Sequence, residues 1–207
     1  METMIAKSTY LLSAMLLLLL TPVARAQPEA PVEIARRYLA EQREKWQLDE
    51  ADISDFRVTD QYQTKHNGLT HIYLVQQHDG IELFNAISGL HITEEGRVAF
   101  ATNRFTPGLA SKVNTTRPLL SASEAIKSAA AYLGLPAAGE LPLKAQKGDR
   151  LFTYAGGTIS DSDIQAQLVY QLMPGEAARL AWRLAIDRPD DANYWNLRID
   201  ALTGAVL

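Results

Sequence analysis

The chain has 207 residues, 47% hydrophobic and 21% charged, with a formal net charge of −4 and no cysteine. That length allows one domain or two small ones. Without cysteine there is no disulfide, no thiolate-held metal and no thiol nucleophile. A mildly acidic chain without a basic block also lacks the positive footprint of a nucleic-acid binder.

Residues 1–26 read as a secretory signal peptide. Lys7 gives the charged start, 10–20 is the apolar stretch, and Ala24-Arg25-Ala26 is a small-residue cleavage site before Gln27. A membrane anchor needs ~20 apolar residues, more than this run supplies, so no membrane association is expected after cleavage. From Val32 the apolar positions Ala35, Tyr38, Leu39 and Trp46 follow a helical period against a charged face of alternating sign.

The period then changes to two. Phe56, Val58, Asp60 and Tyr62 alternate with Arg57, Thr59 and Gln61, and Asn67-Gly68 predicts a tight hairpin. Strands follow at 69–78 and 81–92, joined by Asp79-Gly80, with Gly89 as an expected bulge. Glu95-Gly96 turns the chain into 97–103. Residues 107–120 read as a linker in which the sequon Asn114-Thr115-Thr116 is taken as polar surface loop.

The second half repeats the plan. Ser121 and Glu124 form a capping box ahead of the apolar stripe Ala122, Ala125, Ile126, Ala129, Tyr132 and Leu133, and Gly134 with Pro136 ends that helix. A loop to about Arg150 is expected, then alternating strands around Leu168, Trp182 and Leu197. Leu90-x-Ile92 followed by Gly96-x-Val98 recurs as Leu197-x-Ile199 followed by Gly204-x-Val206. The expected fold class is α+β: two small modules, 27–106 and 121–207, each one helix packed on an antiparallel sheet.

No catalytic constellation emerges. His66, His71, His78 and His91 show no H-E-x-x-H, and the odd spacing of His71 and His78 places them on opposite faces of a strand. Ser88-Gly89 lacks the preceding glycine of a nucleophile elbow. Asp190-Asp191 and Asp161-Ser162-Asp163 sit in turn-like stretches too poor in oxygen ligands for calcium, and Gly156-Gly157 lacks the lysine of a phosphate loop. The chain is therefore read as a non-enzyme without a metal or cofactor of its own.

The stretch Thr70-His71-x-Tyr73-x-x-Gln76, then Gly80-Ile81-x-x-Phe84-Asn85-Ala86, and downstream Glu95-Gly96-Arg97-Val98 and Asn103-Arg104-Phe105, resembles the fungalysin/thermolysin propeptide domain. The Tyr73 position and the Asn85-Ala86 pair look more like its fungalysin branch. Leu180-x-Trp182-x-Leu184 and Asp200-Ala201-Leu202-Thr203-Gly204 are similar to the PepSY-type module that follows this domain in metallopeptidase precursors. Most motif positions read as scaffold: Gly80 and Gly96 as turns, Ile72, Leu74, Ile81, Leu83 and Phe84 as core. His71, Gln76 and Asn85 are the polar residues at which to look for partner contacts, although structural hydrogen bonds are the first expectation for each.

The resemblance implies the pro-region of a secreted or periplasmic fungalysin-like zinc metallopeptidase, inhibiting it and assisting its folding. Zinc would belong to the associated catalytic domain, the partner in cis or in trans. The sequence ends at Leu207, where the resemblance places a catalytic domain next. A truncated precursor is the expectation, with a stand-alone exported inhibitor or binding module as the alternative. An envelope structural module without any peptidase is the third reading.

Overall fold

The computed structural model describes residues 29–175, 177–188 and 193–207. The signal-peptide segment and the Asp190-Asp191 pair lie outside the described residues. Proline at the first helical position starts α1 (Pro31–Gln42), which buries Ile34, Ala35 and Leu39. A second helix, α2 (Glu50–Ser54), was not foreseen. It is one turn long, and its start is an acidic capping box in which Asp49 and Asp52 exchange hydrogen bonds of 2.9 and 3.0 Å.

The first strands are β1 (Phe56–Gln63), β2 (Thr70–His78), β3 (Ile81–Ile92) and β4 (Val98–Thr102). They form an antiparallel meander, with the short connections such pairing allows. The turn Asp79-Gly80 has positive φ at both residues, 51° and 68°, as a two-residue hairpin requires. Asn67-Gly68 does not make such a turn. Only Gly68 has positive φ, and the loop runs over 64–69, closed by Thr64 N–H donating to the Leu69 carbonyl.

The alternation of β1 also breaks, because a register shift falls between Val58 and Asp60. Phe56 and Val58 pack toward the core, whereas Tyr62, four residues on, is exposed. Gly89 is no bulge: it pairs in register with Tyr73 and Thr102. A β-carbon there would sit 3.1 Å from the Tyr73 ring, so the missing side chain makes room for that ring.

A single turn, α3 (Leu109–Lys112), interrupts the linker, and α4 (Ala122–Tyr132) follows with the predicted Ser121–Glu124 capping box. It buries Ala122, Ala125, Ile126 and Ala129 as expected, but leaves Tyr132, expected in the buried stripe, exposed at its last turn. The strands after it are β5 (Leu143–Lys147), β6 (Leu151–Tyr154), β7 (Ile164–Leu172), β8 (Ala178–Asp187) and β9 (Tyr194–Asp200). The residues of β5 had been read as loop. All five are exposed, so the apolar-polar alternation that marks a half-buried strand is missing.

The α+β class holds, and the two expected sheets run together into one. The strand order is β1-β2-β3-β7-β6-β5, with β4 against β3 and β8-β9 continuing from β7. The seam is a short parallel pairing, Glu82 with Val169 and Leu83 with Tyr170. Two cores lie along this sheet. One gathers α1 with Ile53, Ile72, Leu74, Leu90, Ile92 and Phe105. The other gathers α4 with Leu168, Tyr170, Leu180, Trp182, Leu184 and Ile199.

Strand β3 serves both cores through a change of phase. Its even positions Leu90 and Ile92 belong to the first core, and its odd positions Ile81 and Leu83 to the second. Asn85, held at φ 65°, lies between them, where the pairing with β2 jumps from Glu82 opposite Gln77 to Ile87 opposite Val75. This bulge reverses which parity faces inward. The internal echo also has a physical counterpart, since Ile92 pairs with Val98 and Ile199 pairs with Val206. Among the described residues no helix is long and apolar enough to cross a membrane.

Candidate docking surface

The face of the first meander opposite its core carries a transverse row of rings. Tyr62 of β1, His71 of β2, His91 of β3 and Phe100 of β4 are successive register partners. Their sequence neighbours Ile72, Leu90 and Ile92 point into the core, so alternation alone puts these four outside. Tyr62 stacks on His71 at 4.7 Å between centroids, and His91 stacks on Phe100 at 5.6 Å. Tyr73 lies in the next row over Gly89, its phenol held above the ordinary value mainly by the hydrogen bond to Tyr62. Tyr62 is 48% exposed and Phe100 59%, so the ends of the row are open to a partner.

At its centre His71 Nδ1 and His91 Nδ1 are 2.5 Å apart, and Thr64 Oγ1 is 2.7 Å from His71 Nε2. One proton serves the imidazole contact, so one ring donates and the other accepts. The two nitrogens that face one another are used on each other rather than turned toward a common ion. No group of three or more histidine or acidic side chains among the described residues is placed to hold a metal.

Half-burial lowers the proton affinity of His91, and the neighbouring His71 lowers it further. The unfolded chain takes up this proton near the ordinary histidine value of ~6.5, the folded chain only at lower pH. Stability is therefore fully present above that value and declines as pH falls from it toward the depressed folded pKa. Denaturant midpoints between pH 7.5 and 5.5 should fall in the parent protein and flatten in His91→Phe. An equally steep fall in the variant would refute this origin.

The other motif residues are placed differently. Gln76 is fully buried, and its amide bridges the sheet to the linker: Thr106 N–H donates to Oε1 at 2.7 Å, and Nε2 donates to the Thr106 carbonyl at 3.0 Å. Asp52 extends this bridge. Its carboxylate, 2% exposed, accepts N–H bonds from Gly108 at 2.8 Å and Leu109 at 2.9 Å. Ser88, also buried, bonds Asn103 and the Arg104 N–H. Asp52 was missed as a key residue, although the Asp49-x-x-Asp52 spacing is a helix-start signal that sequence reading could have used. The sequon asparagine is also structural: Asn114 Oδ1 accepts from Leu180 N–H at 3.0 Å.

Gly80 and Gly96 occupy turns with positive φ, and Thr70 opens β2 opposite Ile92. The Asp79-Gly80 turn docks on the second half, where Arg150 donates to the Asp79 carbonyl at 2.6 Å. Tyr170 lies nearby, fully buried, its hydroxyl without a partner and its pKa pushed up to about 12, chiefly by burial. Ile81 and Leu83 are core as expected, but Phe84 is not. It is half-buried on the opposite face, with the Arg198 guanidinium 4.3 Å above its ring. Asn85 is exposed beside it at the top of the bulge. The structure thus brings His71 and Tyr73 together, leaves Asn85 on a separate patch, and places Gln76 inside.

Residues 54–105, the α2 end and the whole meander through Phe105, match the family model described as the Fungalysin/Thermolysin Propeptide Motif. The resemblance read from Thr70 to Phe105 is thereby borne out for this segment. The chain is 32% identical over 158 residues to "Extracellular metalloproteinase mep" of Aspergillus terreus, covering 73% of this chain and 24% of that protein. "Extracellular metalloproteinase 3" of Trichophyton equinum is 30% identical over 141 residues, 67% of this chain and 22% of its own length. The chain thus spans about a quarter of the length of these curated relatives. The solved "Bacillus megaterium YpeB C-terminal domain" aligns with 85% of this chain and 61% of its own, at 12% identity and a TM-score of 0.37.

Proposed function

We propose that this chain is the pro-region of a secreted fungalysin-like zinc metallopeptidase, and that it inhibits the catalytic domain and assists its folding. The observation that carries this reading is the propeptide-motif match over 54–105, which falls on one structural unit, the meander. The aligned segments of 158 and 141 residues are longer than that unit, which supports a pro-region built from both halves. The second half is read as a PepSY-like module from its own Leu180-x-Trp182-x-Leu184 motif. Export through the leader at 1–26 agrees with relatives named extracellular. Zinc would be held by the catalytic domain, and this chain would act through its surface.

The open row Tyr62, His71, His91 and Phe100 is the surface assigned to that contact. A pro-region that binds only the folded peptidase stabilises it by mass action and can occupy its cleft until proteolysis removes it. The test adds the purified chain to a denatured fungalysin-type catalytic domain, in trans, and follows recovery of activity after the chain is digested away. Recovery should rise at least tenfold, and equimolar chain should suppress the native enzyme. Neither effect, with a fungalysin-type enzyme known to need its pro-region, would leave the reading without support.

A further inference from the structure

A second patch, on the outer face where the two halves meet, has an unusual balance of charge. Arg183 of β8 and Arg198 of β9 are direct register partners, a like-charge pair that is destabilising in a sheet. Arg198 loses proton affinity through burial and through Arg183. Among the described residues no carboxylate pairs with either arginine or with Arg104. In a chain of net charge −4 with acidic groups in excess, three guanidinium groups without a carboxylate partner in one region are not a consequence of composition.

Arg104 and Arg198 border a cleft of about 420 Å³ whose walls include Phe84, Asn85 and Gln171, and the Arg183 guanidinium lies 6.0 Å from the Phe84 ring. Arg198 is held there by Nη1, which donates to Asn196 Oδ1 at 3.0 Å, and by its contact with the Phe84 ring. At the rim, Phe84, Asn85 and Ala86 belong to neither the β2 nor the β7 ladder.

We propose that this cleft binds an acidic polypeptide segment, with an Asp or Glu carboxylate between Arg104 and Arg198. The choice of a polypeptide follows from the off-ladder backbone beside the two guanidinium groups. An inorganic oxyanion offers only acceptors for the guanidinium groups, whereas a peptide brings a carboxylate for them and amide groups for the backbone at the rim. The off-ladder backbone at the Asn85 bulge gives the segment further groups to bond. This site is separate from the ring row and goes beyond the pro-region reading, since any partner carrying such a segment would fit.

The test is calorimetric titration of the purified protein with a blocked Gly-Glu-Glu-Glu-Gly peptide, its Gln-for-Glu counterpart, and inorganic phosphate. The acidic peptide should bind saturably, at least tenfold tighter than either competitor. Arg198→Gln and Arg104→Gln should each weaken it at least tenfold, and Arg97→Gln, on the distant β3–β4 turn, less than twofold. Thermal melts should show both variants folded, Arg198→Gln losing its contact with the Phe84 ring and gaining relief from Arg183. Arg104 is exposed, so its variant tests the site even if Arg198→Gln folds poorly. No binding, equal binding of the Gln peptide, phosphate as tight as the acidic peptide, or an equal loss in Arg97→Gln would each overturn the proposal.

Discussion

Asp52→Ala is expected to destabilise the protein by about 3 kcal/mol, because one carboxylate performs two tasks. It closes the α2 capping box through Asp49 N–H, and it accepts the N–H groups of Gly108 and Leu109 at the start of α3. Removing it costs the cap, about 1 kcal/mol, and leaves two enclosed donors without acceptors. Asp52→Asn keeps one acceptor oxygen and should cost about half as much. Urea unfolding measures both. A loss below ~1 kcal/mol for the alanine variant would mean that the linker is held by Gln76 alone.

Leu83→Ala should cost about 3 kcal/mol, within the range for a leucine removed from a close-packed interior. The informative part is where the damage appears. Leu83 lies in the segment that matches the propeptide motif, yet its side chain is packed in the α4 core, beside Tyr170 across the seam. Both halves should therefore lose stability together, in one transition seen alike by the Trp46 and Trp182 environments. Leu74→Ala, in the α1 core, should behave the same way. Two separated transitions, or a second half that melts at its parental midpoint in Leu83→Ala, would show that the seam does not couple the cores.

Much of this architecture is legible from local chemistry. The stripes of α1 and α4, the Ser121–Glu124 box and the Asp79-Gly80 turn all depend on residues within a few positions of one another. The propeptide resemblance was likewise carried by a contiguous stretch. What escaped depends on distant partners or on departures from periodicity. The β3–β7 pairing joins residues nearly ninety positions apart and rests on two register partners, with no turn to announce it. Strand β5 is exposed throughout and leaves no pattern.

The candidate site divides along the same line. Strand alternation could have placed His71 and His91 on one face, but their contact needed the β2–β3 register. Gln76 looked like a polar residue in search of a partner, and that partner is thirty positions away in the linker. Phe84 was read as core because it is apolar, before the bulge revealed which side it faces.

The phase change at Asn85 bears on how this sequence can vary. Straightening the backbone at that residue, with the chain length kept, would impose unbroken alternation along β3. Either Ile81 and Leu83 or Leu90 and Ile92 would then turn to water, and one of the two cores would lose its share of the strand. Homologous chains should therefore keep Gly, Asn or Asp at this position, residues that reach positive φ at little cost, or lack the extra residue altogether. An odd step between the two apolar pairs requires the bulge and an even step does without it, so the spacing of Gly80-Ile81 from Leu90-x-Ile92 tells a sequence comparison which chains carry it.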